Sequence, residues 1–138
     1  MNIYNLKTNY LMNPIGFLMD TVALSWIIEA PFEEELQGTR VLIALDENFE
    51  EVIHDNGMQA DLDPLCYQPE IKLQPRMRYF WKVIAKNADG DESYSEIQYF
   101  ETGKEEEHWT GNWIEPARQL QRMPLVRKLF RLPAKPIR

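Results

Sequence analysis

The sequence contains one cysteine, Cys66, among its 138 residues, so it cannot form an internal disulfide. With no Cys or His partner near Cys66, a zinc site is equally unsupported. Only six glycines are scattered along the chain, and none forms a phosphate-binding loop. No window approaches the roughly eighteen apolar residues of a membrane helix, and residues 1–7 show no charged leader before an apolar run. We therefore expect a soluble protein without a membrane partner, and the cytoplasm is its favoured location.

Acidic residues are missing from the end of the chain. No Asp or Glu follows Glu115, and the residues beyond it hold seven of the 15 basic residues. All 22 acidic residues therefore lie in residues 1–116. Binding to a phosphate backbone needs clustered Lys and Arg, so this acidic body argues against a nucleic-acid partner. The basic tail is interleaved with Leu, Val and Phe, which nucleic-acid-binding arms usually lack.

The most informative segment runs from Leu73 to Gly90 and reads Leu-x-Pro-x3-Tyr-x-Trp-x-Val-x-Ala-x-Asn-x2-Gly. Every second residue from Tyr79 to Ala85 is apolar or aromatic, which predicts a strand with one face on a core. A tyrosine shortly after Leu-x-Pro is typical of a tyrosine corner, in which the phenol hydroxyl bonds to the backbone just upstream. The Asn-Ala-Asp-Gly stretch at 87–90 predicts a hairpin turn. This pattern resembles that of fibronectin type III domains.

The fold class predicted from the whole chain is all-β: a seven-stranded immunoglobulin-like (fibronectin type III) β-sandwich with a C-terminal extension. Short strands separated by turn signals at intervals of roughly 8–12 residues support it. Trp26 is the predicted central aromatic residue of the core. The predicted strands are a short one before the turn at 13–16, then 22–30, 39–45, a brief one from 52, 68–73, 77–86 and 93–101.

The character of the sequence changes after Gly103. Sandwiches of this class take about 100 residues, so we assign residues 1–103 to the sandwich. Residues 104–138 are predicted to be a linker and the start of a following β domain that is truncated here. Within them, residues 124–132 alternate as a strand does but have no partner left in the sequence.

No catalytic residue is predicted. Runs of glutamate fall in predicted loops, where carboxylates stay solvated and lack the desolvating pocket that a general acid needs. These runs are 33–35, 50–51 and 105–107. His54 and His108 lie in separate loops with no Ser- or Cys-centred signature beside them, and His54 is expected at the surface. Asp61-x-Asp63 lacks the glycine and the distal glutamate of an EF-hand, so neither a metal nor a cofactor is predicted.

Aromatic residues are the candidates for a carbohydrate-binding platform, because sugars stack their apolar faces on exposed rings. The candidates are Trp109, Trp113 and Tyr94, with Tyr99 considered beside them. The structural interpretation is that Trp81 and Tyr99 fill the core, whereas the two later tryptophans fasten the segment after the last strand.

A second candidate surface lies on the outer face of the strand at 77–86. Phe80 and Ile84 alternate with the core positions, and Leu42 on the neighbouring strand joins them. Apolar patches of this kind mark contacts with other domains or chains. We therefore predict an interdomain contact through Leu42, Phe80 and Ile84.

Taken in order, the motifs resemble the N-terminal domain of bacterial α-L-rhamnosidases of glycoside hydrolase family 78. The matching residues are Asn13-Pro14-x-Gly16, Ser25-Trp26, Asp55-x-Gly57, Tyr67, the segment from Leu73 to Val83, Gly90 and Phe100-Glu101-Thr102-Gly103. Two later motifs, Trp109-x3-Trp113-Ile114 and Leu125-x-Arg127-Lys128-x-Phe130, resemble the beginning of the next β-sandwich of those enzymes. The chain departs from the family at 54–57, where His-Asp-Asn-Gly replaces the common Trp-Asp-Ser-Gly.

The resemblance implies a non-catalytic accessory domain of a multidomain enzyme that hydrolyses terminal α-L-rhamnosyl residues from glycosides. The carboxylate pair of such enzymes lies in a helical barrel domain far downstream, and no position here matches it. The implied partners are the downstream domains of the same polypeptide, and a rhamnosylated glycan is the implied substrate of the parent enzyme. A carbohydrate-binding module and a free-standing protein-interaction module stay open as alternatives.

Overall fold

The computed structural model describes residues 1–104, 106–108, 110–114, 125, 127–131 and 133. Eight β-strands and no helix are present in this part of the chain, which confirms the all-β class with one strand more than predicted. The strands are β1 (Asn2–Thr8), β2 (Ile15–Phe17), β3 (Leu24–Glu29), β4 (Leu36–Ala44), β5 (Val52–Asp55), β6 (Arg78–Asn87), β7 (Glu92–Tyr94) and β8 (Gln98–Thr102). The described residues contain no helix that could cross a membrane.

The strands form two sheets. One contains β1 and β3 in antiparallel pairing, and the other has the order β2-β8-β6-β4-β5. The central strand β6 pairs with β8 through Arg78–Trp81 and with β7 through Ile84–Lys86, so the two short strands follow one another along the same edge of β6. All pairs are antiparallel except β2 with β8, which is parallel. The second sheet therefore carries most of the strand pairing.

The core lies between the two sheets and is built around aromatic residues. Trp26 from β3 is 2% exposed and Trp81 from β6 is fully buried, which confirms the prediction for Trp26. Tyr79 and Phe100 stack with their ring centroids 5.0 Å apart. Aliphatic residues of both sheets complete the cluster. Burial of each such side chain contributes about 1.5–3 kcal/mol, so the facing sheets are held chiefly by these contacts.

Two predicted turns are confirmed in detail. The backbone N–H of Gln74 donates to the Tyr79 hydroxyl at 2.8 Å, which is the hydrogen bond of a tyrosine corner. At the end of β6, the Asn87 side chain accepts the Asp91 N–H at 2.8 Å. Gly90 has a φ of +95°, which a residue without a Cβ adopts at little cost. The β6–β7 hairpin thus forms where the Asn-Ala-Asp-Gly stretch predicted it.

Three predicted strands differ from the structure. Residues 68–73 form no strand: Pro69 lacks an N–H, the Ile71 N–H bonds back to the Pro69 carbonyl, and only Tyr67 bridges to Leu24 of β3. The strand predicted at 93–101 is interrupted between β7 and β8. There the Ser95 hydroxyl accepts the Val83 N–H at 2.9 Å, a bond that a backbone carbonyl would otherwise make. The strand predicted at 39–45 starts earlier than predicted, since β4 begins at Leu36.

The backbone contacts divide the chain into Met1–Glu107 and His108–Arg138. In the second unit, Leu125 and residues 127–131 form no strand, so the strand-like alternation predicted for 124–132 is not realised in its described part. A strand needs a neighbouring strand that pairs with its backbone N–H and C=O groups. The boundary at residues 103/104 and a following β domain stay predictions.

Candidate functional site

Two aspartates of the first unit accept backbone hydrogen bonds in local turns. Asp46 accepts the backbone N–H of Glu51 at 2.7 Å, which lowers the pKa of its carboxyl. Asp63 accepts the Leu65 N–H at 2.9 Å in a local turn. Across the residues that the structure describes, no group of three His, Cys, Asp or Glu side chains could hold a metal ion. The Asp46 and Asp63 carboxylates are thus acceptors for the backbone of local turns.

An ion pair on the larger sheet gives the largest carboxyl shift. Arg40 on β4 donates from Nε to Asp55 Oδ1 at 2.7 Å and from Nη2 to Oδ2 at 2.5 Å. The Gly57 N–H donates to the same carboxyl at 2.9 Å. The hydrogen bond from Arg40 is the main reason that the pKa of Asp55 falls to about 2. The Asp55-x-Gly57 motif thus encodes an ionised carboxylate that ends β5.

His54 lies half-buried, whereas it was expected at the surface. Its Nε2 is 2.7 Å from the Tyr67 hydroxyl, and the Tyr67 ring meets the edge of Trp26 with centroids 6.2 Å apart. Burial lowers the pKa of His54 and raises that of Tyr67. These two polar side chains close the core beside β3, in the place where the predicted strand at 68–73 is absent.

Of the three residues predicted for sugar stacking, one lies in the first unit, one lies in the second unit and one is outside the described residues. Tyr94 on β7 is 60% exposed and donates its hydroxyl proton to Glu92 Oε2 at 2.6 Å. Trp113 belongs to the second unit and is fully exposed. Trp109 lies outside the described residues. Their carbohydrate-binding role stays a prediction.

Tyr99 was predicted to fill the core, but it does not. It lies on the outer face of the larger sheet opposite Phe80, with the rings 6.3 Å apart, and the guanidinium of Arg78 stacks 4.6 Å above it. Its neighbour Phe100 occupies the core position instead. Because side chains alternate along a strand, a one-residue difference in the assumed register exchanges the two faces.

The outer face is more sheltered than the alternation of β6 suggested. Ile84 is only 5% exposed and lies between Arg40 and Tyr94 on the flanking strands. Leu42 and Phe80 are partly buried. On this face Arg78 lies over the Tyr99 ring and Lys82 lies over the Phe49 ring. Long cationic side chains cover apolar groups with their methylene stems and keep their charges in water. An interdomain contact through Leu42, Phe80 and Ile84 stays a prediction.

A cleft that the sequence did not predict opens beside the missing strand. Its volume is about 760 Å³, and it lies between residues 18–22 and residues 68–73 of the first unit. Its walls mix apolar and charged side chains without an aromatic ring, which makes it a poor stacking site for sugars. Pro69 was the available sequence signal, because a proline argues against a paired strand at this position. The lining includes Met19, Asp20, Thr21, Glu70, Lys72 and Glu106.

The first unit of the chain matches a known protein family. Residues 3–106 match the family described as the Rha78A-like, N-terminal immunoglobulin domain. The chain belongs to this family. The match spans nearly all of the first unit and includes the tyrosine corner and the Arg40–Asp55 pair.

Solved structures agree with the assignment to the Rha78A-like N-terminal immunoglobulin family. The crystal structure of Streptomyces avermitilis α-L-rhamnosidase complexed with L-rhamnose aligns with 26% identity and a TM-score of 0.61, covering 74% of this chain and 10% of that one. The α-L-rhamnosidase from Dictyoglumus thermophilum shares the fold, with 23% identity, a TM-score of 0.64 and coverage of 78% and 13%. The domain thus spans about a tenth of the length of these enzymes. No curated protein sequence matches the chain.

Proposed function

We propose that this chain is a non-catalytic accessory domain of a multidomain α-L-rhamnosidase, and that the parent enzyme removes terminal α-L-rhamnosyl residues from glycosides. The observation that carries the proposal is the family match over residues 3–106. Structures similar to this domain occur within α-L-rhamnosidases about ten times its length. On this proposal, the domain packs against other domains of the same, larger enzyme.

The electrostatics support the non-catalytic role. Inverting hydrolysis uses a carboxylic acid with a raised pKa and a second carboxylate about 6.5–9.5 Å away as the base. Asp46 and Asp55 both have a lowered pKa because they accept hydrogen bonds in the ionised form. Groups held ionised in this way stabilise turns and strand ends but cannot protonate a leaving group at neutral pH.

An aryl α-L-rhamnoside assay tests this proposal. The 138-residue chain should give no turnover, whereas the product of the full coding frame should hydrolyse the substrate. Turnover by the isolated chain would contradict the non-catalytic role. A full-length product that folds but leaves the rhamnoside intact would contradict the assignment of the parent activity.

A carbohydrate-binding module is the second candidate, and the exposure of Tyr94 and Trp113 favours it. Isothermal titration of the chain with rhamnose and rhamnosylated glycans measures this directly. Binding heat that disappears in Trp113→Ala, Tyr94→Ala or Trp109→Ala, but not in the control Phe32→Ala, would establish a platform. Phe32 is a suitable control because it is fully exposed and belongs to no candidate site. Absence of heat at millimolar sugar would remove this alternative.

A further inference from the structure

An uncharged apolar surface lies at the β2 edge of the larger sheet. Residues 10–19 contain no charged side chain, although 27% of the chain is charged. Six large apolar side chains in this segment are between 44% and 73% exposed, and we call them the apolar edge. They are Tyr10, Leu11, Met12, Ile15, Phe17 and Leu18. Six exposed apolar side chains within nine residues are more than the scattered exposure that is normal for a soluble domain, and such concentrations occur at interaction surfaces.

The backbone beneath the apolar edge is fixed by specific hydrogen bonds. The Asn9 side chain accepts the Ala23 N–H at 2.7 Å and donates to the Thr21 carbonyl at 3.1 Å. The Asn13 side chain accepts the Tyr99 N–H at 3.0 Å. Asn9, Tyr10 and Asn13 all have positive φ angles, between 45° and 66°. Such angles are unusual for residues with a Cβ and persist only where the surroundings hold them.

The apolar edge also lies where the polypeptide leaves the sandwich. In the parallel pairing of β2 with β8, Ile15 lies opposite Glu101 and Phe17 opposite Thr102. The next residue, Gly103, donates its N–H to the Phe17 carbonyl at 2.8 Å. A Cβ at Gly103 would lie 2.7 Å from the Gly16 carbonyl oxygen, so only glycine allows this approach. The exit of the chain is therefore fixed directly beside Phe17.

We propose that the apolar edge is the surface on which a downstream domain of the same polypeptide, outside these 138 residues, packs. The inference rests on the proposed function, since it needs the longer enzyme. A domain tethered after β8 has a high effective concentration at this edge, because its linker begins there. The expected counterpart is apolar and uncharged, since the edge offers no ion-pair partner within residues 10–19. The contact predicted through Leu42, Phe80 and Ile84 is a different surface, and the experiment below distinguishes the two.

Hydroxyl-radical footprinting of the 138-residue chain and of the full-length polypeptide tests the proposal. Met12 is 68% exposed and Tyr10 is 73% exposed, and both are reactive towards the radical. Burial in an interface core should slow their oxidation about fivefold to tenfold in the full-length protein. Met58 and Tyr94, which are 37% and 60% exposed elsewhere on the same unit, are the matched controls and should react equally in both proteins.

Each other outcome overturns the proposal. Equal oxidation of Met12 in both proteins means that the edge stays open. Protection of Tyr94 instead of Met12 assigns docking to the outer face. Protection that increases with the concentration of the isolated chain assigns the edge to a second copy.

The same full-length sample, assayed on the aryl rhamnoside, keeps this inference separate from the proposed function. Turnover without protection of Met12 contradicts only the docking surface. Protection without turnover contradicts only the parent activity. Limited proteolysis of the variants Phe17→Glu and Leu18→Glu supplies a second measurement. Each substitution should make the full-length protein more sensitive to cleavage after Gly103. Leu65→Glu is the control, because Leu65 is also exposed, and it should leave this sensitivity unchanged.

Discussion

The outer face and the apolar edge belong to the same sheet, yet they expose their apolar side chains to very different extents. Ile84 on the outer face is 5% exposed, whereas Phe17 on the edge is 50% exposed. Ile84 lies between Arg40 and Tyr94 on the flanking strands, whereas Phe17 belongs to the edge strand β2. The Lys82 ammonium lies 4.1 Å above the Phe49 ring, and Arg40 is held in place by Asp55. Residues 10–19, which form the edge, contain no charged side chain of their own.

The face of the sheet on which a side chain lies and the extent to which that side chain is exposed are separate properties. The alternation along β6 indicates correctly that Ile84 points away from the core, since it lies outside the core cluster. It does not indicate what covers the side chain afterwards. Cover depends on long side chains from β4 and β7, which are distant in sequence but adjacent in the sheet. An apolar residue that faces outward is therefore not by itself a docking residue.

The largest expected effect is the difference in unfolding free energy between a truncation on the outer face and a truncation on the apolar edge. Ile84→Ala should lower the free energy of unfolding of the isolated chain by about 2–4 kcal/mol, because it removes buried methyl groups and leaves a cavity. Phe17→Ala should change it by less than about 0.5 kcal/mol, because the side chain is half in water. Urea denaturation of both variants measures the difference. Equal losses would show that the two regions are packed alike and would remove the contrast.

Much of the fold could be predicted because its signals are local. The tyrosine corner and the Asn-Ala-Asp-Gly hairpin each depend on a few neighbouring residues, and both formed as predicted. The strand predicted at 68–73 is absent. The prediction was wrong because it gave the apolar spacing more weight than the missing N–H of Pro69. The interruption near Ser95 depends on one hydroxyl that bonds across to Val83, which no spacing rule reveals.

The candidate surfaces were harder to predict than the fold. The apolar edge had a sequence signal, the uncharged run at 10–19, but this run was interpreted only as a turn around Pro14. Its exposure follows from the parallel pairing of β2 with β8, between residues about 85 positions apart, which pattern alone does not provide. Tyr99 was assigned to the wrong face because the break between β7 and β8 changes the register.

An intermediate effect is expected at Asn9, which holds the backbone of the apolar edge. Asn9→Ala should lower the free energy of unfolding by about 1–2 kcal/mol, because the Ala23 N–H loses its acceptor. Hydrogen exchange of the Ala23 amide should become faster in the same variant. Asn9→Gly is the matched variant: it loses the same hydrogen bonds but adopts the φ of +47° without strain. It should therefore be less destabilised than the alanine variant. An alanine variant as stable as the parent chain would show that the edge is not held by this side chain.

The smallest effect is the pH dependence of the charged cover on the outer face. Arg40 lowers the pKa of Asp55 from 3.8 to about 2, so the folded chain favours the ionised carboxylate. A lowered carboxyl pKa contributes stability that is fully present above pH 3.8 and is lost as the pH falls towards 2. The side chains are 39% and 36% exposed, so solvent screening limits the contribution to less than about 1 kcal/mol. In Arg40→Ala, NMR titration should find the Asp55 pKa closer to its ordinary value, and stability should fall less between pH 5 and pH 2 than in the parent chain. An unchanged Asp55 pKa would mean that the Gly57 N–H alone holds the carboxylate ionised, and the outer face would then owe its cover to the methylene stems rather than to the ion pair.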